Sequence, residues 1–275
     1  MKNKLITTTA CSAIMIGAAL LFFTVPATAE DHPATDLARK LANPIANLIS
    51  VPLQYNYNQN YGTDDEGSQS YLNIQPVIPF SMSENWNVIT RTIVPLINQD
   101  DIPSSGMGES GLGDIVASQF FSPKAPSADG WVWGVGPVWS LPTATEDSLG
   151  SGKLGLGPTA VALKQQGPWT YGALANHIWS VAGPDDRADV NSTFLQPFVA
   201  YVTGTHTTFS LNTESTYNWE SEEWSVPINF FVAQMLKIGE LPIQIGAGVR
   251  YWADSSEGGP EDWGARLQFT FLFPK

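Results

Sequence analysis

The 275-residue chain carries 13 basic and 26 acidic residues, a formal net charge of −13. That balance excludes a nucleic-acid partner, whose phosphates need the opposite sign. The single cysteine excludes a disulfide framework.

Lys2 and Lys4 precede an apolar run centred on Ile14–Phe23, and small residues follow at Val25-Pro26-Ala27-Thr28-Ala29. This is the layout of a secretory signal cleaved after Ala29, because its apolar core is shorter than the roughly 20 residues a membrane helix needs. Cys11 lies inside the signal, before most of the apolar core and away from a lipoprotein cleavage point. Residues 30–47 form a separate segment. Within it, Asp36–Ala42 reads as a short amphipathic helix ended by Asn43-Pro44. This segment packs at the periplasmic mouth, enters a lumen as a plug, or remains a disordered leader.

From residue 48 onward, apolar and polar residues alternate. Val51, Leu53, Tyr55 and Tyr57 interleave with Gln54, Asn56 and Asn58, and Ile243, Ile245, Ala247, Val249 and Tyr251 with Gln244, Gly246, Gly248 and Arg250. A period of two puts one set on each face of a strand. Twelve segments are predicted near 49–61, 70–81, 86–98, 112–122, 131–141, 155–165, 169–181, 191–202, 207–219, 224–236, 241–252 and 263–274. Lengths of about 10–13 residues suit tilted membrane strands. Prolines 76, 79, 95, 137, 197, 227 and 242 remove ladder donors and are read as bulges or bends.

The connections alternate in kind. Those at 62–69, 99–111, 142–154, 182–190, 220–223 and 253–262 are mostly longer and hold eighteen of the 26 acidic residues. The others are mostly short turns. Long loops outside, short turns in the periplasm and an even strand count describe an outer-membrane barrel. Trp86, Trp131, Trp169, Trp224 and Trp263 open segments, and Trp179, Trp219 and Trp252 stand near segment ends. Rings with one polar edge favour the lipid–water boundary, so all eight are assigned to aromatic girdles. The fold class is thus an all-β, antiparallel transmembrane barrel of about twelve strands, with a signal at 1–29, a plug or periplasmic segment at 30–47 and the barrel at 48–275. Its expected surroundings are outer-membrane lipid and lipopolysaccharide. The aromatic last strand, ending Phe271-Leu272-Phe273, is the expected signal to the barrel-assembly machinery.

The stretches Asn43–Pro52, Leu72–Pro79, Gly111–Ile115, Trp133–Pro137, Leu141–Thr145 and Phe271–Lys275 resemble those of an outer-membrane family named for the meta-pathway of phenol degradation. Its members are often called simply transporters, sometimes neuromedin U. The resemblance spans nearly the whole chain after the signal. It implies an outer-membrane barrel linked to the uptake of aromatic compounds, and it brings no functional residues with it.

The search for chemistry yields no cofactor motif and no zinc spacing. Acidic clusters at Asp64-Asp65-Glu66, Asp185–Asp189 and Glu257–Asp262 lack calcium-loop spacing and read as a solvated rim, or as bridging sites for divalent cations to lipopolysaccharide. Gly150-Ser151-Gly152-Lys153 reads as a flexible outer loop rather than a phosphate cradle. His177 would be the base of a lipid hydrolase, but the residue two positions on is Trp179, and Ser180 faces the other way. The polar faces place Arg91, Glu214, Arg250 and Arg266 in the lumen, with Asp114 near the top. Reflection about the 253–262 loop sets Arg250 nearly opposite Arg266, and two such cations need an anion or carboxylate between them, for which Glu214 is the candidate. This set either fills a narrow barrel with paired charge or forms a constriction that selects solutes. The leading reading is a passive channel for small molecules, hydrophobic or aromatic ones included. A structural or adhesive barrel with a packed lumen stands second, and a lipid hydrolase third.

Overall fold

The computed structural model describes residues 32–62 and 64–274. The export signal read at 1–29 lies outside them. A helix, α1 (His32–Leu41), precedes twelve strands. These are β1 (Ile49–Tyr61), β2 (Gly67–Ile74, resuming as Val77–Ser81), β3 (Trp86–Asp100), β4 (Ser110–Leu112, resuming as Ile115–Pro123), β5 (Trp131–Leu141) and β6 (Leu154–Gln166). They continue as β7 (Trp169–Ala182), β8 (Asn191–Val202), β9 (Thr207–Thr213, resuming as Ser215–Asn218), β10 (Glu223–Ile238), β11 (Leu241–Asp254) and β12 (Asp262–Phe273). Among the described residues no helix is long and apolar enough to cross a membrane.

Each strand pairs antiparallel with its neighbours in sequence, and β1 pairs with β12 from Ile49↔Phe273 to Tyr57↔Ala265, which closes the sheet. Closure gives the backbone partners that hydrocarbon cannot supply. Alternation decides which face turns inward. In β1, Ser50, Asn56 and Asn58 are buried inside the barrel while Tyr55 and Tyr57 are exposed outside. In β12, Arg266 and Thr270 are buried between exposed Trp263, Leu267 and Phe273.

Two aromatic girdles ring the outer surface. Trp86 meets Trp133 edge-on at 5.8 Å and Trp169 meets Tyr201 at 4.8 Å at the short-turn end. Tyr217 with Trp219 and Trp224, and Tyr251 with Trp263, mark the long-loop end. Trp252 departs from this scheme. It sits on the inward face of β11, donates its indole N–H to Asn58 at 3.3 Å and lies under the Arg250 guanidinium at 5.1 Å. Its position near a strand end suggested a girdle, but the parity of β11 turns it inward.

The prolines divide. Pro76 falls in the interruption of β2, Pro227 lies at a register shift between β10 and β11, and Pro137 faces Pro158 where the β4–β5 ladder is thin. Pro79, Pro197 and Pro242 instead sit in unshifted register, so no bulge accompanies them. Gly157 lies near this proline pair, and a Cβ there would stand 1.7 Å from the His177 carbonyl oxygen, so only glycine lets β6 and β7 approach this closely.

The N-terminal segment occupies the short-turn end of the barrel. Ala38, Ala46 and Leu48 pack against Val202, Met235 and Leu272 of the barrel wall. Deeper in, Ile45 is buried among Ile89, Phe120, Val161, Leu163 and Leu174. Gly134 lies beside it, where a Cβ would meet the Phe120 Cβ at a tight 3.2 Å and the Ile45 side chain at an ordinary 3.4 Å. Gln165 donates to the Arg39 carbonyl at 2.8 Å, and Thr35 shares a 2.7 Å hydrogen bond with His206 in the 203–206 turn. The described part of residues 30–47 thus packs against the wall at the short-turn end.

Candidate functional site in the barrel lumen

Four of the five charged residues picked from the polar faces meet inside the barrel. Glu214 lies where β9 is interrupted between Thr213 and Ser215. Its Oε1 accepts from Arg266 Nη1 at 2.8 Å and its Oε2 from Arg266 Nη2 at 2.8 Å, a bidentate pair. Arg250 Nη2 reaches the same Oε2 at 3.4 Å. Arg250 and Arg266 are 2% and 4% exposed, so their charges are removed from bulk water and depend on that carboxylate. The two arginines are not directly opposed. Arg250 pairs with Gly264 and Arg266 with Gly248, a diagonal placement that leaves space for Glu214 between the guanidinium groups.

Neutral side chains extend this belt around the wall. Asn56 Oδ1 accepts from Arg266 Nε at 2.7 Å and from Arg250 Nη1 at 3.2 Å, and Arg250 also donates to the Tyr71 hydroxyl. Gln54 Oε1 accepts from Gln75 Nε2 at 3.2 Å, while Gln54 Nε2 donates to Gln268 at 3.0 Å. Gln75 Oε1 accepts from Arg91 Nη2 at 2.9 Å. The network thus runs from β9 through β12, β1 and β2 to Arg91 on β3. Sequence reading found its charges and missed its amides. The signal was present, since Gln54, Asn56 and Gln75 lie on the same inward faces as the arginines.

Asp114 is not part of the belt. It sits in the interruption of β4, and its carboxylate holds the loop between β5 and β6. Oδ1 accepts from the Thr143 and Ala144 amides, and Oδ2 from the amide and hydroxyl of Ser151. Arg187 caps the carbonyls of Asp147, Gly150 and Ser151, and Lys153, 7% exposed, pairs with Asp189 at 3.4 Å. Residues 150–153, read as a flexible loop, are therefore tied on several sides.

A cavity of about 260 Å³ lies between the belt and the N-terminal segment. Its ceiling holds Arg91, Glu214 and Arg266, its floor runs from Ala38 to Leu48, and Phe198 and Phe231 line its wall. A second cavity of similar volume, bounded by Asn58, Tyr61, Gln69, Tyr71 and Trp252, adjoins the belt beside Arg250. Arg91, Glu214 and Arg266 of the belt line the first space, and Tyr71, which Arg250 bonds, lines the second.

His177 faces outward beside Trp179, at 4.1 Å between rings. Its Nδ1 lies 2.7 Å from the Thr193 hydroxyl on β8, which also accepts the Trp219 indole N–H at 2.9 Å. Among the described residues no serine hydrogen-bonds the ring, and the buried Nε2, the nitrogen that faces the nucleophile in a hydrolytic triad, has no partner. Ser180 points inward and bonds Asp189 at 3.0 Å.

The fold is that of the outer-membrane β-barrels. It is similar to an outer membrane channel from Pseudomonas putida F1, with a TM-score of 0.65 at 13% identity over 83% of this chain and 97% of that one. The NanC porin is similar with a TM-score of 0.50 at 10% identity, over 82% and 99% of the two chains. Outer membrane phospholipase A from Escherichia coli gives 0.45 at 10% identity over 82% and 92%, which carries no argument about chemistry. No family model matches the chain, and no curated protein matches its sequence. The resemblance to the phenol-degradation family therefore rests on the motifs themselves.

Proposed function

We propose that the protein is a passive outer-membrane channel for small organic solutes, apolar and aromatic ones among them. The observation that carries this reading is the space left in the lumen. A barrel built only as a scaffold has reason to fill its interior, yet cavities adjoin the charged belt, one of them between the belt and the seated N-terminal segment. The similarity of the fold to a channel and a porin supports the same reading. The long, acidic loops then face outside, the short turns face the periplasm, and the girdles sit in lipid and lipopolysaccharide. The terminal strand would be offered to the assembly machinery.

Passage requires the 32–48 segment to give way, since Ile45 and α1 stand in its path. The segment holds by apolar packing and few hydrogen bonds, which is compatible with reversible withdrawal. A packed structural barrel is the second reading, favoured by the pairing of Glu214 with two arginines. Liposome swelling separates the two. Residues 30–275 with 32–47 deleted should admit one-ring solutes at least several-fold faster than residues 30–275 intact. Equal and negligible rates in two folded barrels would favour the structural reading.

A further inference from the structure

We propose that the cavity between the belt and the N-terminal segment is a binding site for a small monocarboxylate with an apolar body, its carboxylate held by Arg91. Its physiological use as a transit site rests on the channel reading; its geometry does not.

The first argument is charge. The whole chain is strongly acidic, with a net −13. The cavity is the reverse, lined by Lys40, Arg91 and Arg266 against a single carboxylate, Glu214. That carboxylate is already taken, both oxygens by Arg266 and one also by Arg250. Arg91 keeps one hydrogen bond, from Nη2 to Gln75, and among the described residues no carboxylate forms an ion pair with it. A guanidinium presents a fork of donors that matches a carboxylate. Arg91 lines the cavity, and the one side-chain hydrogen bond it makes among the described residues is that to Gln75.

The second argument is shape and polarity. One side of the cavity is an amide ladder, Gln54, Gln75 and Gln268, and the other is apolar, with Phe198, Phe231 and Leu48. An inorganic anion would use Arg91 and leave the apolar wall wet. A wholly apolar solute would cover the wall and strip water from an unpaired cation, at a high cost. A ligand with a carboxylate at one end and an apolar body at the other satisfies both. Its size follows from the 260 Å³ volume. A cavity of about 150 Å³ suffices for benzene, so one six-membered ring with its carboxylate fits.

The test is calorimetric titration of folded residues 30–275 in detergent with three isosteres: cyclohexanecarboxylate, cyclohexylmethanol and cyclohexylmethylamine. Acetate serves as the anion without a body. Cyclohexanecarboxylate should bind at least tenfold tighter than each of the others. Arg91→Gln should erase that preference and leave the alcohol unchanged, and Phe231→Ala should weaken the cyclohexane acid without changing acetate. Should Arg91→Gln not fold, the isostere series and Phe231→Ala decide. Equal affinity of acid and alcohol, or a preference that survives Arg91→Gln, overturns the proposal. Solute flux, measured separately, keeps the two readings apart. Binding without passage contradicts the channel and leaves the site, whereas passage with no preference for the acid contradicts the site alone.

Discussion

Glu214 is the residue on which the lumen's charge balance turns. Removing one partner of a buried ion pair strands the other, at about 3–5 kcal/mol. Glu214→Gln leaves Arg250 and Arg266 without their shared carboxylate, so the unfolding free energy of the barrel measured in urea should fall by an amount in that range, whereas an unchanged value would mean that lumen water solvates both arginines. Most of this cluster was legible because charge has few places to go in a membrane barrel: an arginine on a polar face must point inward and pair. The amides were less legible. Gln54, Asn56 and Gln75 share the arginines' faces, but a neutral side chain gives no reason in sequence to seek a specific partner. The partners of Asp114, expected near the top, were not legible, since the break between Leu112 and Ile115 hands its carboxylate to the neighbouring loop. Trp252 was misplaced because position along a strand was weighed over parity.

At the scale of elements, the alternation located all twelve strands, and most ends fall within a residue or two of those expected. Polar turns and inward–outward parity both mark the same boundaries, which is why they agree. Pro76 marked the interruption at Gln75-Pro76, but those at Gly113-Asp114 and Glu214 were not legible, because a break in hydrogen bonding need not disturb the hydropathy pattern. The outer loops were also underestimated. Composition shows acid and glycine, but not that Arg187, Lys153 and Asp189 clamp the 142–153 and 183–190 loops together. The Ser180 hydroxyl, then Lys153, holds the Asp189 carboxyl below the usual aspartate range. A depressed carboxylate contributes its stability above the ordinary aspartate value and loses it as pH falls through the lower folded value. The protection of the 183–190 amides, taken relative to the intrinsic exchange rate at each pH, should therefore hold at neutral pH and drop only in strong acid. Asp189→Asn should lower that protection at neutral pH and leave it nearly independent of pH. Exchange already fast in the native chain at neutral pH would show that the clamp does not form.

For the whole molecule, the sequence carried the fold class and the placement of acid at one rim, but not the packing of the lumen. Apolar Ile89, Phe120 and Leu163 face inward near the short-turn end, against the rule of polar interiors. Their reason is the N-terminal segment, whose Ile45 they enclose. A barrel wall and its plug must be known together for such residues to make sense. The result is a negatively charged protein with a positively charged waist and its own N-terminal segment packed at one end. The most direct test is single-channel recording in a planar bilayer across a KCl gradient, comparing residues 30–275 with and without 32–47. The account predicts a small conductance from the intact chain and a several-fold larger one after deletion, with a reversal potential on the anion side that Arg91→Gln moves toward zero. Silence from both folded barrels, or a cation-selective current, would contradict it.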